Sequence, residues 1–171
     1  MRKVLIAYFS RAGENYWGGK MKRLDKGNTQ LLAEKIQAIT GGDLFRIEPA
    51  EPYPDDYRAC VERSRRERTE DARPAVKAVV ENWNDYDVIY VGYPNWCGTM
   101  PMPVFTFLES APWQGKTVVP FCTHGGSGLG TSEADIQRIC ADARIEKGFA
   151  VLGTEVEGLS DAALRALLSE G

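Results

Sequence analysis

The chain has 171 residues, 43% of them hydrophobic and 26% charged, which fits one globular domain over residues 1–171 with a sizeable core. A net charge of -3 gives no electrostatic ground for a nucleic-acid partner. No apolar run nears the roughly 18 residues of a membrane span, and Lys3 leads straight into a strand pattern with no signal-peptide h-region, so a cytoplasmic, membrane-free setting is expected.

In chain order, strand-like runs fall at residues 3–9, 43–48, 87–93, 117–122 and 148–152. VLIAYF, VIYVGY and VVPFC are apolar without alternation, the pattern of strands buried on both faces by helices. Between the runs, Leu32, Ile36 and Ile39 share one helical face, with Thr29 near its start. Val76, Val79, Val80 and Trp83 repeat the spacing behind Pro74, and Ile136, Ile139, Cys140 and Ala143 form a third stripe. Ala163, Leu164, Leu167 and Leu168 form a fourth, with Ser160 placed as N-cap. Residues 101–110, with prolines only in the first turn, predict a short fifth helix. PAEPYPDD (49–56) reads as an irregular connection, and the mixed-charge run ERSRRERTEDAR (62–73) as a solvated helix and connector or, alternatively, as a docking surface. Such alternation predicts an α/β fold: a three-layer, doubly wound, five-stranded parallel sheet of order 2-1-3-4-5. Ligands of such sheets bind beyond the carboxyl ends of the strands at the switch point, here the loops after strands 1, 3 and 4.

The first loop is SRAGENYWGGKMKRLDKGNT (10–29), two halves of a short Ser/Gly/Asn/Thr junction with residues 14–26 inserted between them. Hydroxyls, an amide and helix-start N–H groups suit a phosphate, with Arg11 a further cation; a plain N-cap and turn would use the same residues. The second, YPNWCGTMP (93–101), puts Trp96 at a loop tip, which suggests a flat ligand to stack on, or a Trp tucked under the adjacent helix. The third, THGGSGLGTS (123–132), is glycine-rich enough for close backbone approach to a ligand, or simply a flexible turn. It fails GxGxxG and has Thr131 where a P-loop needs Lys, so nucleotide triphosphates and dinucleotides are poor fits. Cys60, Cys97, Cys122 and Cys140 form no CxxC pair and His124 stands alone, which argues against a structural zinc site or a disulfide framework. A phospho-accepting signalling domain of the same sheet order would need an acidic cluster where Ser10 stands and an Asp where Pro94 and Asn95 stand.

The split SRAGENY…GNT loop, the PNWCG loop and the THGGSG loop, in this order on these strands, resemble the flavodoxin family over nearly the whole chain. The resemblance implies a five-stranded α/β protein that holds FMN noncovalently at the ends of strands 1, 3 and 4. It places Ser10, Arg11, Ala12, Asn28 and Thr29 around the FMN phosphate and Trp96 against the isoalloxazine, with Pro94 setting the turn. Asn95, Cys97, Gly98 and Thr99 would meet the N5/O4 edge of the ring. Thr123, His124, Gly125, Gly126, Ser127 and Gly128 would line its pyrimidine edge and far face. When N5 gains a proton a carbonyl must turn to accept it, and Gly98 makes the Cys97–Gly98 peptide the candidate. The implied function is electron transfer to a redox partner protein or a small-molecule acceptor; the alternative is an NAD(P)H-dependent quinone or flavin reductase using the same FMN. Two features depart from a simple carrier: the Lys/Arg-rich insertion with Tyr16 and Trp17, read either as ornament or as a cover over the flavin, and a charge less acidic than carriers of this kind show.

Overall fold

In a computed structural model that describes residues 2–169, the chain forms a mostly parallel sheet between two helical layers. The strands are β1 (Val4–Tyr8), β4 (Asp43–Arg46), β5 (Val88–Pro94), β6 (Thr117–His124), β7 (Arg144–Ile145) and β8 (Phe149–Leu152). A separate antiparallel ribbon joins β2 (Gly13–Trp17) to β3 (Lys20–Leu24). The helices are α1 (Asn28–Thr40), α2 (Tyr57–Thr69), α3 (Met102–Glu109), α4 (Ser132–Ile139), α5 (Gly153–Val156) and α6 (Asp161–Ser169).

The order β4-β1-β5-β6 with β7 and β8 beyond β6 is the expected 2-1-3-4-5 arrangement, every pairing parallel. The fifth position is filled in two pieces: β7 pairs the start of β6 and β8 its end. Pro120 explains the gap. Glu146 N–H donates to Val118 O at 2.9 Å, so Pro120, two residues on, faces the same edge and has no N–H to offer there.

Alternation along β1 sends Leu5, Ala7 and Phe9 into one apolar layer and Ile6 and Tyr8 into the other. The first layer takes Val104, Phe105, Phe107 and Leu108 of α3 and Ile136 of α4. The second takes Leu32, Ala33 and Ile36 of α1, Val156 of α5 and Leu164 of α6. Ser160 caps α6 as its sequence suggests, its Oγ accepting from Ala163 N at 3.1 Å.

One predicted helix is absent. The Val76–Trp83 stripe is not an α-helix: Lys77 N bonds Glu48 O at 2.9 Å, Ala50 N bonds Ala75 O at 2.8 Å, the start of the segment pairs with the β4–α2 connection, and Trp83 only opens a short 3-10 turn, Trp83–Asp85. Its apolar residues still point inward at Val80 and Trp83, but Val79 is 63% exposed. The helix between β4 and β5 is α2, which starts ahead of the charged run and takes in most of it; Asp56 caps Ala59 N at 2.9 Å and Arg63 pairs with Glu67 at 3.0 Å. A cap and strong helix formers outweigh a hydrophobic stripe that starts behind a proline. Among the described residues no helix is long and apolar enough to cross a membrane.

Candidate functional site

The carboxyl ends of β5, β6 and β8 meet the start of α1 around a cleft of about 320 Å³, within the range of small-ligand sites. Asn28 and Gly153 stand at one end, Trp96 and Tyr57 at the other, and Thr123, His124 and Gly125 form one wall.

Loop one is built around Gly27. It is the N-cap of α1 and has no side chain, so Ser10 reaches across the split loop and its Oγ accepts from Gln30 N at 3.0 Å, the bond an N-cap hydroxyl would make. This leaves the N–H groups of Asn28 and Thr29 as helix-start donors without an acceptor among the described residues, with the helix dipole behind them; Asn28 itself lines the cleft. Thr29 is buried, its hydroxyl paired with that of Thr123 at 2.8 Å, which locks α1 to the end of β6. Asn28 Oδ1 is buried without a hydrogen-bond partner among the described residues, an exception that calls for an explanation. Gly153 comes so close that a Cβ there would lie 2.4 Å from Asn28 Nδ2.

Arg11 is engaged elsewhere. Its guanidinium donates to Pro54 O at 2.9 Å, Asp55 O at 2.6 Å and Glu14 O, so it fastens the ribbon to the β4–α2 connection instead of turning toward the helix start. With Ser10 and Ala12 it lines a separate cavity against Arg46 and Tyr53.

In loop two, Trp96 is half-buried, edge-on to Phe9 (5.1 Å) and Tyr53 (5.0 Å), with its ring still forming cleft wall. Trp96 is thus packed against Phe9 and Tyr53 and also lines the cleft. Cys97 and Gly98 have φ of +55° and +88°, the signature of a type I′ turn, closed by Thr99 N donating to Trp96 O at 3.3 Å and flanked by Trp96 N donating to Thr99 O at 2.8 Å. Gly98 N donates to Asn95 Oδ1 at 3.1 Å, a bond that turning the Cys97–Gly98 peptide would give up. Asn95 Nδ2 donates to Gly128 O at 2.7 Å and Thr131 N to Gly98 O at 2.8 Å, so loops two and three brace each other. Cys97 faces the α2 side, and Thr99 is buried with its hydroxyl on Asp135 at 2.5 Å, away from the cleft. Gly126, Ser127 and Gly128 lie beyond the cleft wall. Because a left-handed conformation costs a non-glycine residue about 1 kcal/mol, Cys97→Gly is expected to leave stability unchanged or raise it by about 0.5 kcal/mol. Denaturant unfolding reads this directly; a loss above about 1 kcal/mol would mean that the Cys97 side chain holds the turn.

His124 Nδ1 accepts from Gly126 N at 2.9 Å, so the neutral ring carries its proton on Nε2. Burial pushes its pKa below the ordinary 6.5, with Glu155 opposing weakly. The unfolded chain therefore takes up a proton before the folded one does, and stability falls as pH drops below about 6.5, with the Gly126 bond lost on protonation. Loop three is expected to loosen and ligand affinity to fall between pH 7 and pH 5. His124→Asn, which keeps an acceptor near the Nδ1 position, should flatten that profile; an unchanged acid-sensitive profile in the variant would rule His124 out as its source.

The inserted residues are an ordered ribbon, not a loose loop. Gly18 and Gly19, with φ of +54° and +92°, make its two-residue turn. Glu14 Oε1 accepts from Tyr57 N at 3.0 Å, and Arg23 grips Asp55 through two bonds of 2.8 and 3.0 Å. Tyr16 lies against Tyr57, ring centroids 6.4 Å apart, and Gly18 reaches Thr154. The ribbon thus contributes Asn15, Tyr16 and Gly18 to the cleft. Of the wall residues outside the three sequence loops, Tyr57 carries no signal beyond its place after PYPDD. Gly153 and Thr154 repeat at the end of β8 the Gly/Thr chemistry of loop one, a signal that was present and unused.

Residues 3–161 match the sequence profile of the flavodoxin family. The fold is similar to that of a protein classed as a flavoprotein from Bacteroides eggerthii DSM 20697, at 36% identity and TM-score 0.79 over 98% of this chain and 96% of that one. A second, from Bacteroides uniformis ATCC 8492, matches at 28% identity and TM-score 0.79 over 98% of each chain. A flavoprotein from Lactobacillus acidophilus NCFM, solved in complex with FMN, shares the fold at 21% identity and TM-score 0.68 over 92% of this chain and 98% of that one. No curated protein matches the chain. With its three loops, sheet order and switch-point cleft on one edge, and the family profile spanning nearly its whole length, the chain belongs to the flavodoxin family.

Proposed function

We propose that the cleft binds FMN and that the protein works as an FMN-dependent electron-transfer protein. The observation that carries this is Asn28: a buried carboxamide oxygen without a partner among the described residues, beside the helix-start N–H groups, in a cleft walled at its other end by Trp96 and Tyr57. A ligand that meets both ends needs an anionic group, polar hydroxyls and a wide flat ring, joined in that order. FMN has all three. The amide of Asn28 accepts from a ribityl hydroxyl or, turned over, donates to a phosphate oxygen. The N–H groups of Asn28 and Thr29 hold the phosphate, Trp96 and Tyr57 flank the ring, and His124 offers Nε2–H at the wall. When bound, FMN supplies the one- and two-electron chemistry that side chains lack. FMN is expected to bind one-to-one and at least tenfold more tightly than riboflavin, which lacks the phosphate; equal affinities would remove the helix-start site from the reading.

One observation favours the reductase variant of this function. The β2–β3 ribbon lies over the cleft with Tyr16 beside Tyr57, and that limits approach by a large partner more than by a small molecule. Steady NAD(P)H oxidation by the FMN-loaded protein with a quinone would support this variant; no turnover would leave a carrier for a protein partner.

A further inference from the structure

Beside the ring end of the cleft lies a second chamber of about 220 Å³, between α2 and loop two. It shares Asn15, Tyr57, Asn95 and Trp96 with the cleft, so the two spaces adjoin through those side chains. Its remaining wall comes from Cys60, Val61, Ser64 and Arg65 of α2, from Cys97 and from Arg11. The volume lies between the roughly 150 Å³ cavity that holds benzene and the 300 Å³ at which drug-sized sites begin, which suits a two-ring aromatic body. Two aromatic walls and Val61 suit a flat apolar ligand.

The polar end of the chamber is equally specific. Two guanidinium groups reach it. Arg11 is spent on three backbone carbonyls. Arg65 has no hydrogen bond or ion pair among the described residues, a state it shares with Arg58, Arg66 and Arg68 of the same helix, whereas Arg63 is paired with Glu67; of the unpaired ones Arg65 alone lines the chamber. Arg65 also lines the wider depression between α2 and the ribbon, so it stands where the chamber opens outward. An unpaired guanidinium at the mouth of an aromatic chamber recognises a carboxylate or sulfonate on a planar body.

We infer that this chamber is the acceptor subsite, that it takes a bicyclic quinone bearing one anionic substituent, and that Arg65 sets the preference for the anion. The inference rests on the reductase variant of the proposed function. In the reaction one hydride, two electrons and a proton, passes from reduced FMN to the quinone, and a proton from water completes the hydroquinone. FMN returns to its oxidised form, and an external hydride donor such as NAD(P)H reduces it again.

The test is equilibrium binding to the FMN-loaded protein, read from the flavin visible band, with naphthalene-2-sulfonate as the anionic probe and 2-naphthol as the neutral one. The sulfonate should bind about tenfold more tightly than the naphthol, as one charge-assisted contact implies. Arg65→Gln should abolish that preference without changing FMN affinity, and Arg58→Gln, exposed on the same helix outside the chamber, should keep it. Normal FMN uptake with no preference for the sulfonate, or a preference that survives Arg65→Gln, overturns the subsite. Failure to take up FMN overturns the proposed function, and the subsite with it.

Discussion

Asn28→Asp is expected to weaken FMN binding by at least about 100-fold while leaving the cofactor-free protein as stable as before, or slightly more so. The two effects have opposite signs because they have different causes. Asn28 is the first residue of α1, where a carboxylate interacts favourably with the helix dipole by about 0.3–1 kcal/mol. The same carboxylate would stand beside the proposed phosphate. Two like charges about 4 Å apart repel by about 4 kcal/mol at an effective dielectric of 20, more than the 2.8 kcal/mol that a 100-fold loss represents. Thermal melts of the cofactor-free variant with FMN titrations separate the two. A variant that kept its affinity would show that no anion sits at this helix start.

Gly27→Ala should damage both fold and site. A Cβ at residue 27 would lie 2.2 Å from Ser10 Oγ and 2.6 Å from Arg11 O. The hydroxyl can rotate away, but the carbonyl is main chain and cannot move without loop one moving with it. Its φ of -64° is ordinary, so the cost is close approach and not backbone strain. Moving the loop takes Ser10 off Gln30 N, and a lost N-cap bond costs about 1 kcal/mol; overpacking adds about 1–3 kcal/mol. A stability loss of about 2–4 kcal/mol is therefore expected, with FMN affinity reduced more than tenfold. Chemical denaturation and an FMN titration check the two parts. Wild-type stability in the variant would mean that loop one is free to shift, and that the split junction is not held as described.

How much of this was legible beforehand differs by element. The apolar runs of β1, β5 and β6 could only be strands buried on both faces, and their order followed from the alternation with helices. The Val76–Trp83 stripe misled because spacing alone does not say where backbone N–H groups go; those of Ala50 and Lys77 pair across two connections, information held only by the fold. The split of the edge position was not read from the sequence: VVPFC reads as one uninterrupted buried strand, and only the pairing in the fold shows which edge Pro120 leaves without an N–H.

At the site, Asn28, Trp96 and Thr123 were legible because their chemistry matches their place at strand or helix ends. Arg11 was not, since a guanidinium near a phosphate loop looks like a phosphate ligand until three carbonyls claim it. Thr99 was drawn to the cleft by its neighbours in sequence, whereas the two-residue turn at Cys97 and Gly98 carries it back into the core. The ribbon was read as either ornament or cover. Its Gly-Gly turn between runs with exposed aromatics was a hairpin signal, but its position over the cleft depends on Glu14 and Arg23 reaching residues more than 30 positions away.

The most direct measurement is titration of the cofactor-free protein with FMN, following the flavin visible bands and the quenching of tryptophan fluorescence together. Saturation at one FMN per chain, with the quench largely lost in Trp96→Leu while the phosphate-dependent affinity persists, is the expected result. Saturable binding without involvement of Trp96, or no binding by a protein that melts cooperatively, would contradict the assignment of this cleft to FMN.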